Sequence, residues 1–399
     1  MSSAEHEVSP DAEPEPASRG RLRRWLAAFL RLLPKARRDF GTPLAFLLSA
    51  VLLQLLAALF PTLTERVYAQ SLYPHIVVAL SSFSRRFNFS IGEALICLLL
   101  VVIFASILRL GLLLYWRPFG RLRRIVSSTR FALWCAGVCL WAFLFSFGFN
   151  YHRPLLFELL GFERREATAP ELEAISGEVI RRINESYAEA HADGRAAPTS
   201  DEIVRLLAES YASVPELSLL PRGDFAPPKP VRFSEFLTRL GISGVYFPFT
   251  AEPNYNDRVP DFQLPFTIAH EMAHQRGVAR ESEANFVAFL VCVNSSDPFV
   301  RYSGYRNGVG VVSELFRVEP EQARELVRQL GSGYRDDSKR AALFWAKAGG
   351  LFGNLGLRLN DLYLRANLVR SGTADYARST TLIIGYYLRT LRRTDISSS

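Results

Sequence analysis

Cysteine is scarce: four residues in 399, at positions 97, 135, 139 and 292. The first three lie in apolar runs and the last in a helical pattern, which excludes a disulfide framework. Cys135 and Cys139 share a helix face and read as small packing residues. Histidine is also scarce, with six in the whole chain, so any pair at ligand spacing is informative. Most of the chain also lacks a basic excess. Residues 1–149 carry 17 Lys and Arg against 8 Asp and Glu, a net of +9, while residues 150–399 carry 30 against 31, a net of −1. The overall charge of +8 therefore sits in the apolar N-terminal part, where it sets membrane topology. The near-neutral remainder argues against nucleic acid as a partner.

Three runs reach the roughly 20 apolar residues that a bilayer requires: 43–63, 94–116 and 131–151. Residues 1–42 read as a basic cytoplasmic segment, disordered over its polar first 18 residues and with an apolar face at 19–40 that suits either an anionic membrane surface or a topology flank. No cleavable signal peptide precedes the first run. Basic residues number eight before the first run, three between the first and second, and five in the loop after the second. That distribution places the N-terminus and the second loop in the cytoplasm and everything after about residue 152 outside it. The stretch 72–87 reads as an interfacial helix.

Residues 152–399 read as one domain, so the fold class is mainly α. "TSDEIVRLLAESYASV" opens on an N-cap Thr or Ser with acidic residues in its first turn. Helical patterns recur at 280–294, 319–331, 338–350 and 376–392. "ISGVYFPFT" (242–250), aromatic and β-branched, predicts a short strand or hairpin instead.

"HEMAHQRGVARESEAN" (270–285) carries the chemistry. On a helix, His270 and His274 project from one face and can bind one Zn²⁺ at roughly 2.0–2.1 Å each. Glu271 lies beside them, placed to take a proton from a water whose pKa zinc lowers towards about 7. Pro265 marks the helix start and Gly277 its stop. Along an uninterrupted helix Glu281 would lie about 10 Å from His274. A left-handed Gly277 lets the chain turn back under the metal instead. Arg280 stands where a third histidine would complete HExxHxxGxxH, so Glu281 or Glu283 must be the third ligand. The two point in different directions, so only one binds. Glu281 is preferred, with Asn285 one turn further on to orient its carboxylate.

These residues resemble the domain of unknown function 3810 family of bacterial membrane proteins, grouped with zincin-like metallopeptidases. The resemblance covers roughly 65–395 and includes "ERVYAQSLYP", "FGFNYHRPL", "GVYFPFTAEPNYN" and "YLRANLVRSGTADYARSTTLIIGYY". It implies a membrane-anchored, zinc-dependent peptidase of zincin-like fold and names no substrate; with the orientation read from the basic flanks, the domain is expected outside the bacterial cytoplasmic membrane. The E-x-E-A-N segment resembles the glutamate helix of gluzincins, which supports Glu281, although Asn285 replaces the usual aspartate. The expected function is a zinc metallopeptidase with Glu271 as general base, acting on peptide or protein substrates outside the cytoplasm. "GVYFPFT" is the candidate substrate-pairing edge, and Tyr246, Tyr255 or Tyr376 are candidate oxyanion donors. The alternative is a non-catalytic, zinc-stabilised membrane sensor or binding protein. An intramembrane protease is excluded by the polar flanks "NDRVPDFQ" and "QRGVARESE".

Overall fold

The computed structural model describes residues 40–116, 119–162, 165–192, 194–348, 350–369 and 379–397. The basic segment expected before residue 40 lies outside them. Three helices are long and apolar enough to cross a membrane: Phe40–Leu59, Ile91–Trp116 and Arg121–Ser146. The protein is thus a membrane protein whose apolar helices precede a mainly helical domain. Two compact units are distinguishable: the described residues up to Leu52 with Arg109–Leu140, and Leu53–Leu108 with Trp141 onwards. The second unit includes the end of span 1, the segment between spans 1 and 2, most of span 2 and the end of span 3.

Two spans end earlier than expected. Span 1 ends at Leu59, because Pro61 has no N–H to continue the helix and Phe60 leaves helical geometry (φ −124°, ψ 62°). Span 3 ends at Ser146 rather than 151. Phe147 breaks the helix, and Gly148–His152 form a buried 3₁₀ turn. These aromatic residues fill protein core rather than face lipid: the Phe147 ring lies 5.1 Å from that of Tyr246.

Between spans 1 and 2 the chain forms a π-helix, Thr64–Leu72, and then an α-helix, Tyr73–Ser84, where the interfacial helix was expected. The π-helix buries Glu65 and Tyr68. Glu65 accepts two hydrogen bonds from Arg153, at 2.6 and 3.0 Å, and a third Arg153 nitrogen donates to the Gly277 carbonyl at 3.0 Å. Both side chains are buried. Arg153→Met strands a buried carboxylate and should cost about 3–5 kcal/mol. The double change Glu65→Leu with Arg153→Met should recover much of that loss. Thermal unfolding of the detergent-solubilised chain measures both, and a double variant no more stable than the single one would contradict the pairing.

The domain's helices begin where local chemistry directs. Thr168 with Glu171 and Thr199 with Glu202 form capping boxes that open Ala169–Ala190 and Ser200–Ser213. The helix Glu281–Val293 is buried along nearly its whole length, and Phe286, Phe289 and Tyr302 are among the largest fully buried side chains. A helix apolar on almost every side belongs at the centre of a core.

Three strands form a small sheet: β1 (Lys229–Pro230), β2 (Gly244–Phe247) and β3 (Glu252–Tyr255), in the order β1-β3-β2. The β2–β3 hairpin lies at the strand expected from the sequence. β1, two residues with a proline, gave no signal there. β2 pairs antiparallel with β3 and is an edge. The Asn256 N–H donates to the Ser243 carbonyl at 2.8 Å. Residues 243, 245 and 247 therefore bond to β3, while Gly244 and Tyr246 turn their backbone groups to the open edge. Glu252 on β3 accepts the N–H groups of Ile91 (3.2 Å) and Gly92 (2.8 Å) and pairs with Lys229 at 2.5 Å. A carboxylate at a helix N-terminus meets its orphan donors and its positive dipole end, so Glu252 fastens the sheet to the start of span 2.

Candidate metal centre

The HExxH helix runs Leu264–Gln275 with Pro265 in its first turn. Gly277 follows at φ +80°. A Cβ there would lie 2.9 Å from a Tyr73 ring carbon, so both backbone and space require glycine. The turn delivers the chain into Glu281–Val293.

This return brings His270, His274 and Glu281 together, with one ligand atom from each within 4.8 Å of the others. His270 Nε2 lies 3.0 Å from Glu281 Oε2 and 3.0 Å from His274 Nε2, and His274 Nε2 lies 3.7 Å from Glu281 Oε2. A tetrahedron with metal–ligand bonds of about 2.0–2.1 Å has edges of about 3.3–3.4 Å, close to these separations. His274 Nδ1 donates to the Val278 carbonyl at 2.7 Å, which leaves the Nε2 lone pair facing the other two donors. Two imidazole nitrogens and a carboxylate oxygen converging on one point fit Zn²⁺. Glu283 turns elsewhere: it accepts the Leu156 N–H at 2.8 Å and lies 3.4 Å from Arg280. Asn285 borders the same cavity, but no hydrogen bond joins it to Glu281, so the orienting bond expected there is not formed among the described residues.

Glu271 is buried beside the trio. Burial raises its carboxyl to about 7, against the opposing pull of His270 and His274. The Tyr246 backbone N–H from the open edge of β2 bonds the carboxylate, and Oε2 has no partner. An unpaired buried oxygen calls for a water or a ligand. Gly244 approaches so closely that a Cβ would lie 2.5 Å from Glu271 Oε1. Burial would likewise raise Glu281, but the imidazoles of His274 and His270 outweigh it and hold that carboxyl well below its usual range. For His274, burial is outweighed by Glu281 and Glu271, and its pKa rises to about 9. A metal bound at His274 Nε2 would have to displace a proton.

The trio and Glu271 open into a cavity of about 790 Å³, walled by β2, Phe147, Phe266 and the helix Gly350–Ala366. Of the tyrosines expected from the sequence, Tyr246 borders the cavity, with its hydroxyl 3.5 Å from that of Tyr73. Tyr255 is buried in β3 and is not part of the lining. Tyr376 lies outside the described residues. The sequence reading missed Tyr151 and Tyr363, which both line the cavity with hydroxyls 3.2 Å apart. Burial, with Glu281 nearby, raises Tyr363 to about 12 despite its bond to Tyr151, so it remains a donor. The stretches "FGFNYHRPL" and "YLRANLVR", which carry the family resemblance, contain both and were the available signal.

Over residues 68–384 the chain matches a family described as a protein of unknown function, DUF3810. No curated protein and no solved structure matches.

Proposed function

The chain belongs to the DUF3810 family, whose description states no activity, and from the site it carries we propose that it is a membrane-anchored zinc metallopeptidase of zincin type, acting on extracytoplasmic or envelope polypeptides. One observation carries this reading: His270, His274 and Glu281 converge, beside a buried Glu271 with an unpartnered oxygen, in a cavity bordered by an open strand edge.

A bound Zn²⁺ supplies Lewis-acid polarisation and lowers the pKa of water towards about 7. The chain's own residues do the rest. A substrate strand lies along β2, using the outward groups of Gly244 and the outward carbonyl of Tyr246. Glu271 Oε2 takes a proton from the attacking water and returns it to the leaving amine as the C–N bond breaks. Tyr363, which accepts the Tyr151 hydroxyl proton, keeps its own O–H to offer to charge developing on the carbonyl oxygen. The aromatic side chains lining the cavity, Phe143, Phe147, Phe249 and Phe266 among them, lower the polarity around the trio and strengthen each polar interaction there.

Elemental analysis of the purified full-length protein should find about one zinc per chain, removable by chelation. Protein that holds no zinc and takes none up would defeat the metal reading. The proposed orientation has its own check: alkaline phosphatase fused after Ser399 should be active, and a cytoplasmic reporter at the same place silent. The reverse pattern would remove the envelope substrates from the proposal.

A further inference from the structure

The site lies at the ends of the spans. The Phe147 ring, one residue past the end of span 3, is 6.2 Å from the His274 ring. Phe143, inside span 3, lines the cavity itself. On the other side, a Cβ on Gly92, the second residue of span 2, would lie 2.6 Å from the Phe247 ring of β2. Glu252 ties the same hairpin to the first two N–H groups of that span.

The third wall agrees. The helix Gly350–Ala366 exposes Leu355, Leu359 and Leu362 at i, i+4 and i+7, with Arg358, Asp361 and Arg365 flanking them. This is the pattern of a helix lying in a membrane interface. Its last residue is tied to span 1: Gln54 Nε2 donates to the Ala366 carbonyl at 3.2 Å. Gln54 is five residues inside the end of span 1, or about 7.5 Å along the helix axis. Tyr363 on the same helix packs on Phe143 of span 3, ring centres 6.1 Å apart. Leu359, Leu357 and Tyr363 also line the cavity, so the helix with the exposed leucine stripe and the cavity wall are one element.

Resting on the peptidase reading, we infer that the substrate is a polypeptide held in the same bilayer by a transmembrane segment, cut in the extended stretch just outside the membrane. A chain leaving the bilayer advances about 3.3–3.6 Å per residue, so about ten residues reach at most about 35 Å, and a site beside the span ends meets residues within that reach. The apolar cavity suits the apolar side chains common at such a junction. Pairing along β2 requires chain on both sides of the cleaved bond. A transmembrane polypeptide provides that, whereas an acylated terminal residue does not.

Terminal proteomics on cells carrying wild type or Glu271→Gln tests this. Glu271-dependent new termini should fall within about ten residues of a transmembrane segment. Termini in proteins without one, or next to lipid-attachment residues, overturn the inference and leave the peptidase reading intact. No Glu271-dependent terminus at all brings down the peptidase reading and the inference with it. A mapped segment, attached to its own transmembrane helix in nanodiscs with the full-length enzyme, should be cut at least about tenfold more efficiently than the same segment as a free peptide, through its higher effective concentration. Equal rates would also overturn the inference.

Discussion

Glu271→Gln should lower peptide hydrolysis about 10²–10⁴-fold while leaving bound metal near one equivalent. Glutamine keeps the size of the side chain and can still accept the Tyr246 N–H, but it cannot take a proton from water. Glu271 is not one of the three converging ligands, so the trio is untouched. The buried, partnerless Oε2 is the atom lost as a base. Folding should not suffer, because the change removes a buried carboxyl whose ionisation burial already opposes. Metal content, thermal unfolding and cleavage of a mapped substrate, measured on one preparation, separate the cases. If zinc only holds the domain together, Glu271→Gln behaves as wild type in cells while His274→Ala abolishes function by unfolding the domain. That pair of results would replace the peptidase with the zinc-stabilised sensor.

Glu281→Gln should weaken zinc binding more than about 100-fold, and Glu283→Gln should leave it intact. Changing groups that merely support a ligand costs about 10–100-fold, so removing the anionic ligand exceeds that range. Glu281 is 3.0 Å from His270 Nε2, whereas Glu283 is engaged by Leu156 and Arg280. Chelator sensitivity gives an independent readout. A ligand bound only by the folded state stabilises it by about 4 kcal/mol at a thousand times its Kd. The wild-type and Glu283→Gln proteins should therefore lose thermal stability on chelation, and Glu281→Gln should not. The opposite order would move the third ligand to Glu283.

The sequence by itself determined what depends on local pattern. Apolar length placed three spans, because a bilayer sets a minimum that composition alone can meet. Pro265, Gly277 and the Thr199–Glu202 capping box marked helix ends, because orphan N–H groups and a left-handed turn each demand particular side chains. The four-residue step from His270 to His274 placed two nitrogens on one face. The choice between Glu281 and Glu283 was open to pattern only as a preference, since two residues at the start of one helix carry the same local chemistry.

Tertiary structure alone decided the rest. Glu283 is drawn off by the Leu156 N–H, a partner 127 residues away in the chain. Phe147–Tyr151 read as span because aromatic residues look alike whether they face lipid or core; the packing of Phe147 on Tyr246 and His274 assigns them to the site. Glu65 and Arg153 are 88 residues apart and meet only because the π-helix and the turn after span 3 fold against Gly277. Tyr151 and Tyr363 share a cavity wall across 212 residues. Local rules act over a helical turn or a strand pair. Which distant side chains converge depends on how helices pack, and the centre's place beside the ends of the spans is a consequence of that packing.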